Sequence, residues 1–205
     1  MKVRLTFQEE ILGTSPSNPE VYETYIQSKS PDANTLSEEI EAIGAEEVAR
    51  NGMTVFPRTD KKEPFIYDYQ IKGFFKDACG MLSRLGGKSE TGKKKPVNES
   101  CKLTAYKKII DGLIFVKPRK IIIKMSGPVG KCQRPLRAST PQGERISLAC
   151  SESIPAGSVI EFEVVCLDPS HEAAVTEWLN YGALRGMMQW RNSGKGVFKW
   201  FRTDL

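Results

Sequence analysis

Arg185, Arg191 and Lys195 share the stretch NYGALRGMMQWRNSGKGVFKW, residues 180–200, with Gly186, Gly194, Gly196 and Trp190. Cationic side chains and flexible glycine N–H groups together suit phosphate oxygens. Trp190 offers a face on which a nucleobase can stack, a contact worth about 1–3 kcal/mol. A plain connection between a helix and a strand needs only a few residues, and this one spends about eleven. The stretch therefore reads as a nucleic-acid cradle. A structural reading stands beside it: the glycines serve as cap and hairpin punctuation, and Trp190 with Trp200 anchors the edge of the core.

Charge elsewhere points the same way. Residues 88–137 hold fourteen Lys/Arg against three Asp/Glu, whereas residues 1–50 hold four against ten. A basic block of that kind is the footprint expected of a surface that meets phosphates, and the alternative is a solvated charged face. Its candidates are Lys93, Lys94 and Lys95 in the loop GGKSETGKKKPVNES, then Lys117, Arg119 and Lys120, then Arg134 and Arg137. Lys72 and Lys76 join them from a helical stretch in which Gly73 and Gly80 stand seven residues apart. Each glycine costs about 1 kcal/mol relative to Ala inside a helix. Either a sugar-phosphate backbone comes close there or another segment packs against it.

Catalytic chemistry finds less support. His171 is the sole histidine, placed in DPSHEAAV at the N-terminal turn of a helix, where the helix dipole disfavours its charged form. It reads as an exposed surface residue and a weak candidate for a general base, and no spacing singles out Tyr181 or Lys195 for that role. One histidine and five cysteines without a CxxC pair offer no closed metal set, so neither a metal nor a cofactor is expected. The cysteines read as reduced, buried thiols. GGKSETGKKK lacks the spacing of a phosphate-binding P-loop.

Periodicity supplies the elements that would position these residues. In KVRLTFQ, Val3, Leu5 and Phe7 alternate with polar residues as in a half-buried strand. Residues 12–62 look like an inserted arm with an acidic helix over 37–50 and a small hairpin around TDKKE. Ile71, Phe74, Phe75, Ala78, Cys79, Leu82 and Leu85 form one helical stripe. Residues 86–100 read as a mobile basic loop. LTAYKKIIDG is a short helix before LIFVKPRKIIIK, a strand bent by Pro118. Two short strands flank TPQGE, and SVIEFEVVCL is another strand, with Val159, Phe162 and Val164 in imperfect alternation. Asp168 caps a second helix, with Pro169 in its first position. Ala174, Val175, Trp178 and Leu179 are its buried stripe, and GVFKWFR closes the chain. Without its insertions the order is strand, helix, strand, strand, helix, strand: an α+β, ferredoxin-like βαββαβ plan in a single domain over residues 1–205.

YQIKGFFKDACGMLSRLGG and GALRGMMQWRNSGKGVF resemble the two hallmarks of the RAMP superfamily of CRISPR proteins, whose members use ferredoxin-like folds and contact RNA through a late glycine-rich loop. The chain also looks like a group of small proteins of bacteriophages and prophages, through YDYQIKGFFKDACGML, IDGLIFVKPRKI, CQRPLRA and WRNSGKG. The first resemblance implies an RNA-binding loop at Gly182, Gly186, Gly194 and Gly196, with Lys72 and Lys76 beside it. RNA-cleaving members commonly rely on a histidine, and this chain has only His171. The second implies the cytoplasm of a bacterial host, in keeping with the absence of an apolar leader in MKVRLTFQEE and of any membrane-spanning run.

Three functions fit. The first is a non-catalytic binder of single-stranded RNA or DNA, able to line up as a homo-oligomer along it. The second is a phage anti-defence protein that mimics or blocks a CRISPR subunit or another host defence protein. The third is a metal-independent endoribonuclease.

Overall fold

The computed structural model describes residues 1–16, 53–85, 97–140 and 143–204, with backbone alone over 135–140 and 143–148. The acidic helix over 37–50 and Lys93, Lys94 and Lys95 lie outside the described residues, as does the side chain of Arg137.

Apolar alternation in β1 (Lys2–Phe7) buries Val3, Leu5 and Phe7 and leaves Lys2 and Arg4 outside. This strand lies between β10 (Val159–Cys166) and β11 (Phe198–Arg202), antiparallel to both. On the far side of β10 run β6 (Ile114–Lys117) and β7 (Lys120–Lys124), separated by the cis Lys117–Pro118 bond where the sequence places a bend. Val164 pairs with Val116 and Ile160 with Ile123, so both short strands share one long partner. The buried alternation in β10 falls on Ile160, Phe162 and Val164, one residue away from the expected start at Val159. β5 (Phe65–Tyr67) completes the sheet on the free edge of β7.

Helices α1 (Asp68–Leu82) and α4 (His171–Arg185) cover the apolar face of this sheet, and Phe75 meets Trp178 at 5.4 Å between ring centroids. The stripe of α1 buries Ile71, Phe74, Phe75, Ala78 and Cys79 as the periodicity requires. It stops short of Leu85, which lies beyond the helix and is exposed. α4 begins at His171, two residues later than expected, although Asp168 accepts the Ser170 N–H on its side chain at 2.9 Å as a cap would. Ala174, Val175, Trp178 and Leu179 face inward, and the helix ends at Gly186. Between these elements sit α2 (Glu99–Lys102) and α3 (Tyr106–Leu113).

A second sheet departs from the single one expected. β8 (Gly130–Thr140) and β9 (Gly143–Ile154) pair along their whole length, from Gly130↔Ser153 to Thr140↔Gly143, where the sequence indicated two short strands. On β9 also lie β2 (Ile11–Leu12) and β4 (Thr54–Val55), and β3 (Ser15–Pro16) pairs with β4. The described ends of the arm are thus strands of this sheet. Glu152 on β9 fixes one of them by accepting from the Phe56 N–H at 2.8 Å and from Arg58. The hairpin expected around TDKKE survives only as a tight turn with an Arg58↔Pro64 bridge. Its two arms, β4 and β5, join different sheets.

The loop expected over 86–100 is also shorter at its end. Asn98 accepts from the Cys101 N–H at 2.8 Å and donates to the Leu82 carbonyl at 3.1 Å. Ser100 is buried, accepting from the Trp178 indole at 3.0 Å and donating to Glu177 at 3.0 Å. Among the cysteines only Cys79 is fully buried, where desolvation pushes its thiol up to about 11; the other four are half-buried and unpaired.

Candidate nucleic-acid interface

The glycine-rich loop is closely packed against itself. Gly186 and Gly196 have φ of +79° and +73° and lie back to back. A Cβ on Gly186 would stand 2.4 Å from the Lys195 carbonyl oxygen, and one on Gly196 would stand 2.0 Å from that of Met187. These residues are glycine because two backbones touch there. The glycine N–H groups suited to phosphate are spent on backbone carbonyls: Gly186 donates to Gly182, Gly194 to Arg191, and Gly196 to Glu10. These glycine N–H groups are therefore not available to an anion, which leaves the side chains around them as the contacts to consider.

Those side chains are held by a second set of contacts. Gln189 donates to the Gly13 carbonyl at 2.8 Å and to Thr54 Oγ1 at 3.2 Å, and its own Oε1 accepts from Arg134 at 2.9 Å. Loop, arm and hairpin meet in this one amide. Around it, Met188 and Trp190 take φ of +68° and +55°, a left-handed conformation that costs a non-glycine residue roughly 1–2 kcal/mol. Such strain concentrates where structure is fixed for function. The Arg134 guanidinium lies 5.2 Å from the centroid of the Trp190 ring, which is 38% exposed.

Two adjoining depressions open here and share Met188 and Arg191. The first, about 330 Å³, is lined further by Arg134, Arg185, Gln189, Trp190 and Asn192. The second, about 210 Å³, is lined further by Thr14, Gln70, Gly73, Phe74 and Asp77. Arg191 pairs with Asp77 at 2.5 Å. Arg185 donates to Asn192 at 2.5 Å, and neither it nor Arg134 meets a carboxylate among the described residues. The Nε of Arg134 is buried without a partner among them. The groove is therefore cationic, with an aromatic face at its side.

The other sequence candidates go elsewhere. Lys195 pairs with Glu10 at 2.7 Å, and this partner raises the lysine's pKa while lowering that of the glutamate. Lys76 pairs with Asp111 at 2.5 Å; Lys72 donates to the Asp111 carbonyl and lies 4.9 Å from the Phe115 ring centroid. Both lysines thus turn toward α3, away from the groove-lining residues of α1. Arg119 lies near Asp68 and the Tyr67 ring, and Lys120 near the Phe65 ring. Lys117 lines a separate depression of about 590 Å³ with Lys2, Glu161 and Glu163, whose opposed charges suit a polyanion poorly. Gly194 has open space where a Cβ would be.

His171 differs from its expected exposure: the residue is 9% exposed, and its Nδ1 is buried with no partner among the described residues. The reason is phase: His171 stands three and four residues before Ala174 and Val175 and so falls on the buried stripe of α4. It lines neither depression. Among the described residues no cluster of His, Cys, Asp or Glu could hold a metal ion, and no helix is long and apolar enough to cross a membrane.

Met188, Gln189, Asn192, Thr14, Gln70 and Asp77 are groove residues that sequence reasoning passed over. Gln70 and Asp77 lie at i−3 and i+4 from Gly73, so the helical face marked by that glycine already pointed to them.

Neither a protein-family model nor a curated protein sequence matches the chain. Among solved structures, a chain of the cryo-EM structure of the Type III-B Cmr-beta complex bound to cognate target RNA superimposes with a TM-score of 0.52 at 11% identity. The match covers 98% of this chain and 58% of that one, so the protein spans somewhat over half the length of this neighbour. A chain of a Type IV-B CRISPR complex aligns at a TM-score of 0.49 and 12% identity, over 99% of this chain and 90% of that one. The first likeness establishes a shared mixed α/β fold.

Proposed function

We propose that this protein binds single-stranded nucleic acid, RNA in the first instance, through the groove between the glycine-rich loop, α1 and the β8–β9 hairpin. The observation that carries the reading is the convergence of Arg134, Arg185 and Arg191 around the half-exposed Trp190, on a loop locked by Gln189. Arginines meet phosphate oxygens through several donors, and the indole stacks on a base of any identity. Two further supports are the strand order β11-β1-β10-β6/β7 with α1 and α4 on one face, which fits a ferredoxin-like, RAMP-like core, and the fold shared with an RNA-bound CRISPR complex. In this reading the protein works without catalysis of its own, in the cytoplasm of a bacterial host, as a phage-encoded member of that structural group.

The test is the anisotropy of a labelled RNA oligonucleotide between about 50 and 200 mM salt. Affinity should fall steeply with salt. Replacing Arg134 and Arg185 together by alanine should weaken binding across sequences and flatten the salt slope by about 0.7 per lost contact. An affinity indifferent to salt, or to these two residues, would sink the reading. Capture of a host protein by material treated with nuclease, with no oligonucleotide binding, would favour the anti-defence alternative instead.

A further inference from the structure

Gly73 stands in the middle of α1, where glycine is unfavourable, and nothing lies within 4 Å of the position its Cβ would occupy. Gly80 on the same helix is explained by the Tyr106 hydroxyl, 2.8 Å from its virtual Cβ. No such contact accounts for Gly73; what its missing side chain leaves is the recess of about 210 Å³.

The recess has apolar walls in Phe74 and Met188 and a polar end in Asp77 and Arg191. Met188 reaches that wall from a left-handed backbone, so the loop bears strain to put it there. Gln70 and Thr14, though part of the lining, are occupied. Gln70 accepts from the Tyr67 N–H at 2.8 Å and donates to Thr14 Oγ1 at 2.6 Å. Asp77 uses Oδ2 on Arg191 Nη1 and has its second oxygen unpartnered among the described residues, while Arg191 keeps further N–H donors. Side by side, the pair offers carboxylate acceptors next to guanidinium donors.

We propose that this recess takes a nucleobase from the bound strand and reads it as guanine. It rests on the groove reading above. Guanine alone among the four bases presents, along one edge, two adjacent N–H donor groups beside a carbonyl acceptor. The donors suit Asp77 and the O6 suits Arg191. Adenine and cytosine each offer one donor group beside ring acceptors, so the second carboxylate oxygen would be left facing an acceptor. A flat base lying over Gly73 fills the space that a side chain at residue 73 would take.

The experiment measures binding of uridine 12-mers carrying one central G, A or C, a design that avoids guanine quadruplexes. The G strand should bind about tenfold more tightly than the A strand, the order expected of one well-placed two-point contact. Asp77→Asn should reduce that ratio to about twofold or less. Gly73→Leu should do the same by filling the recess, with a melting temperature no lower than wild type, which guards against misreading a folding defect in the first variant. Wild-type protein that binds the G, A and C strands alike overturns the proposal, as does a folded Gly73→Leu protein that keeps the preference. Failure of the groove reading looks different: no strand binds at any salt, or binding ignores Arg134 and Arg185.

Discussion

Helix α1 and the glycine-rich loop each carry glycines that touch something and a glycine that touches nothing. Gly80 in the helix meets Tyr106, and Gly186 and Gly196 in the loop meet backbone, whereas Gly73 and Gly194 face open space. In sequence these residues look alike. The contact around each decides whether the missing side chain lets two parts of the protein touch or leaves room for something else. The loop illustrates the first case, since its glycines let two stretches of backbone touch. The helix illustrates the second.

The sharpest break of this comparison is Gly196→Ala. With a Cβ only 2.0 Å from a carbonyl oxygen and φ at +73°, the substitution should cost about 3 kcal/mol or more in denaturant unfolding. A loss below about 1 kcal/mol would mean that the loop can open, and the close-packed description would fail. Next comes Trp190→Ala, which should lower oligonucleotide affinity by about 1–3 kcal/mol while leaving the unfolding midpoint nearly unchanged. Gly73→Ala sits at the opposite pole from Gly196→Ala. It should raise stability by about 0.5–1 kcal/mol, because an open helical site gains from the better helix former. A loss there would reveal a contact that the open space does not show.

The smallest effect concerns the pair that ties the loop to the first strand's end. Glu10 is held below its ordinary value of 4.5 by Lys195, so its contribution is complete above that pH and is lost as acid takes the medium through the lower folded value. Lys195 is raised above 10.5, so its contribution is complete below that pH and disappears as alkali passes the higher folded value. Both side chains are partly exposed, which limits the pair to about 1 kcal/mol or less. Melting temperatures of wild type and Glu10→Gln should therefore differ by a constant amount between those limits and converge in acid.

Much of the first sheet was legible because its signals are local. The alternation of Val3, Leu5 and Phe7, the stripe of α1 and the bend at Pro118 all follow from periodicity or from one residue's geometry. The second sheet was not, since β9 pairs with two-residue strands at 11–12 and 54–55, and β3 with the latter, and strands so short carry no period of their own. Of the cations singled out, Arg134, Arg185 and Arg191 line the groove, the last of them paired with Asp77, while Lys72, Lys76 and Lys195 meet carboxylates or carbonyls outside it. Composition reports how many charges a segment has; which of them remain available depends on partners distant in sequence. Gln189 shows the same limit. It is one polar residue in a row of larger signals, and its role rests on Gly13, 176 positions away.

The Asn98 bond to Leu82, with the Cys101 thiol 3.7 Å from the carbonyls of Leu82 and Ser83, brings the end of α1 and the start of α2 to a single point. The Asn98 amide therefore closes two helix ends at once, accepting at the start of α2 and donating at the end of α1, so fraying of either end would release the other.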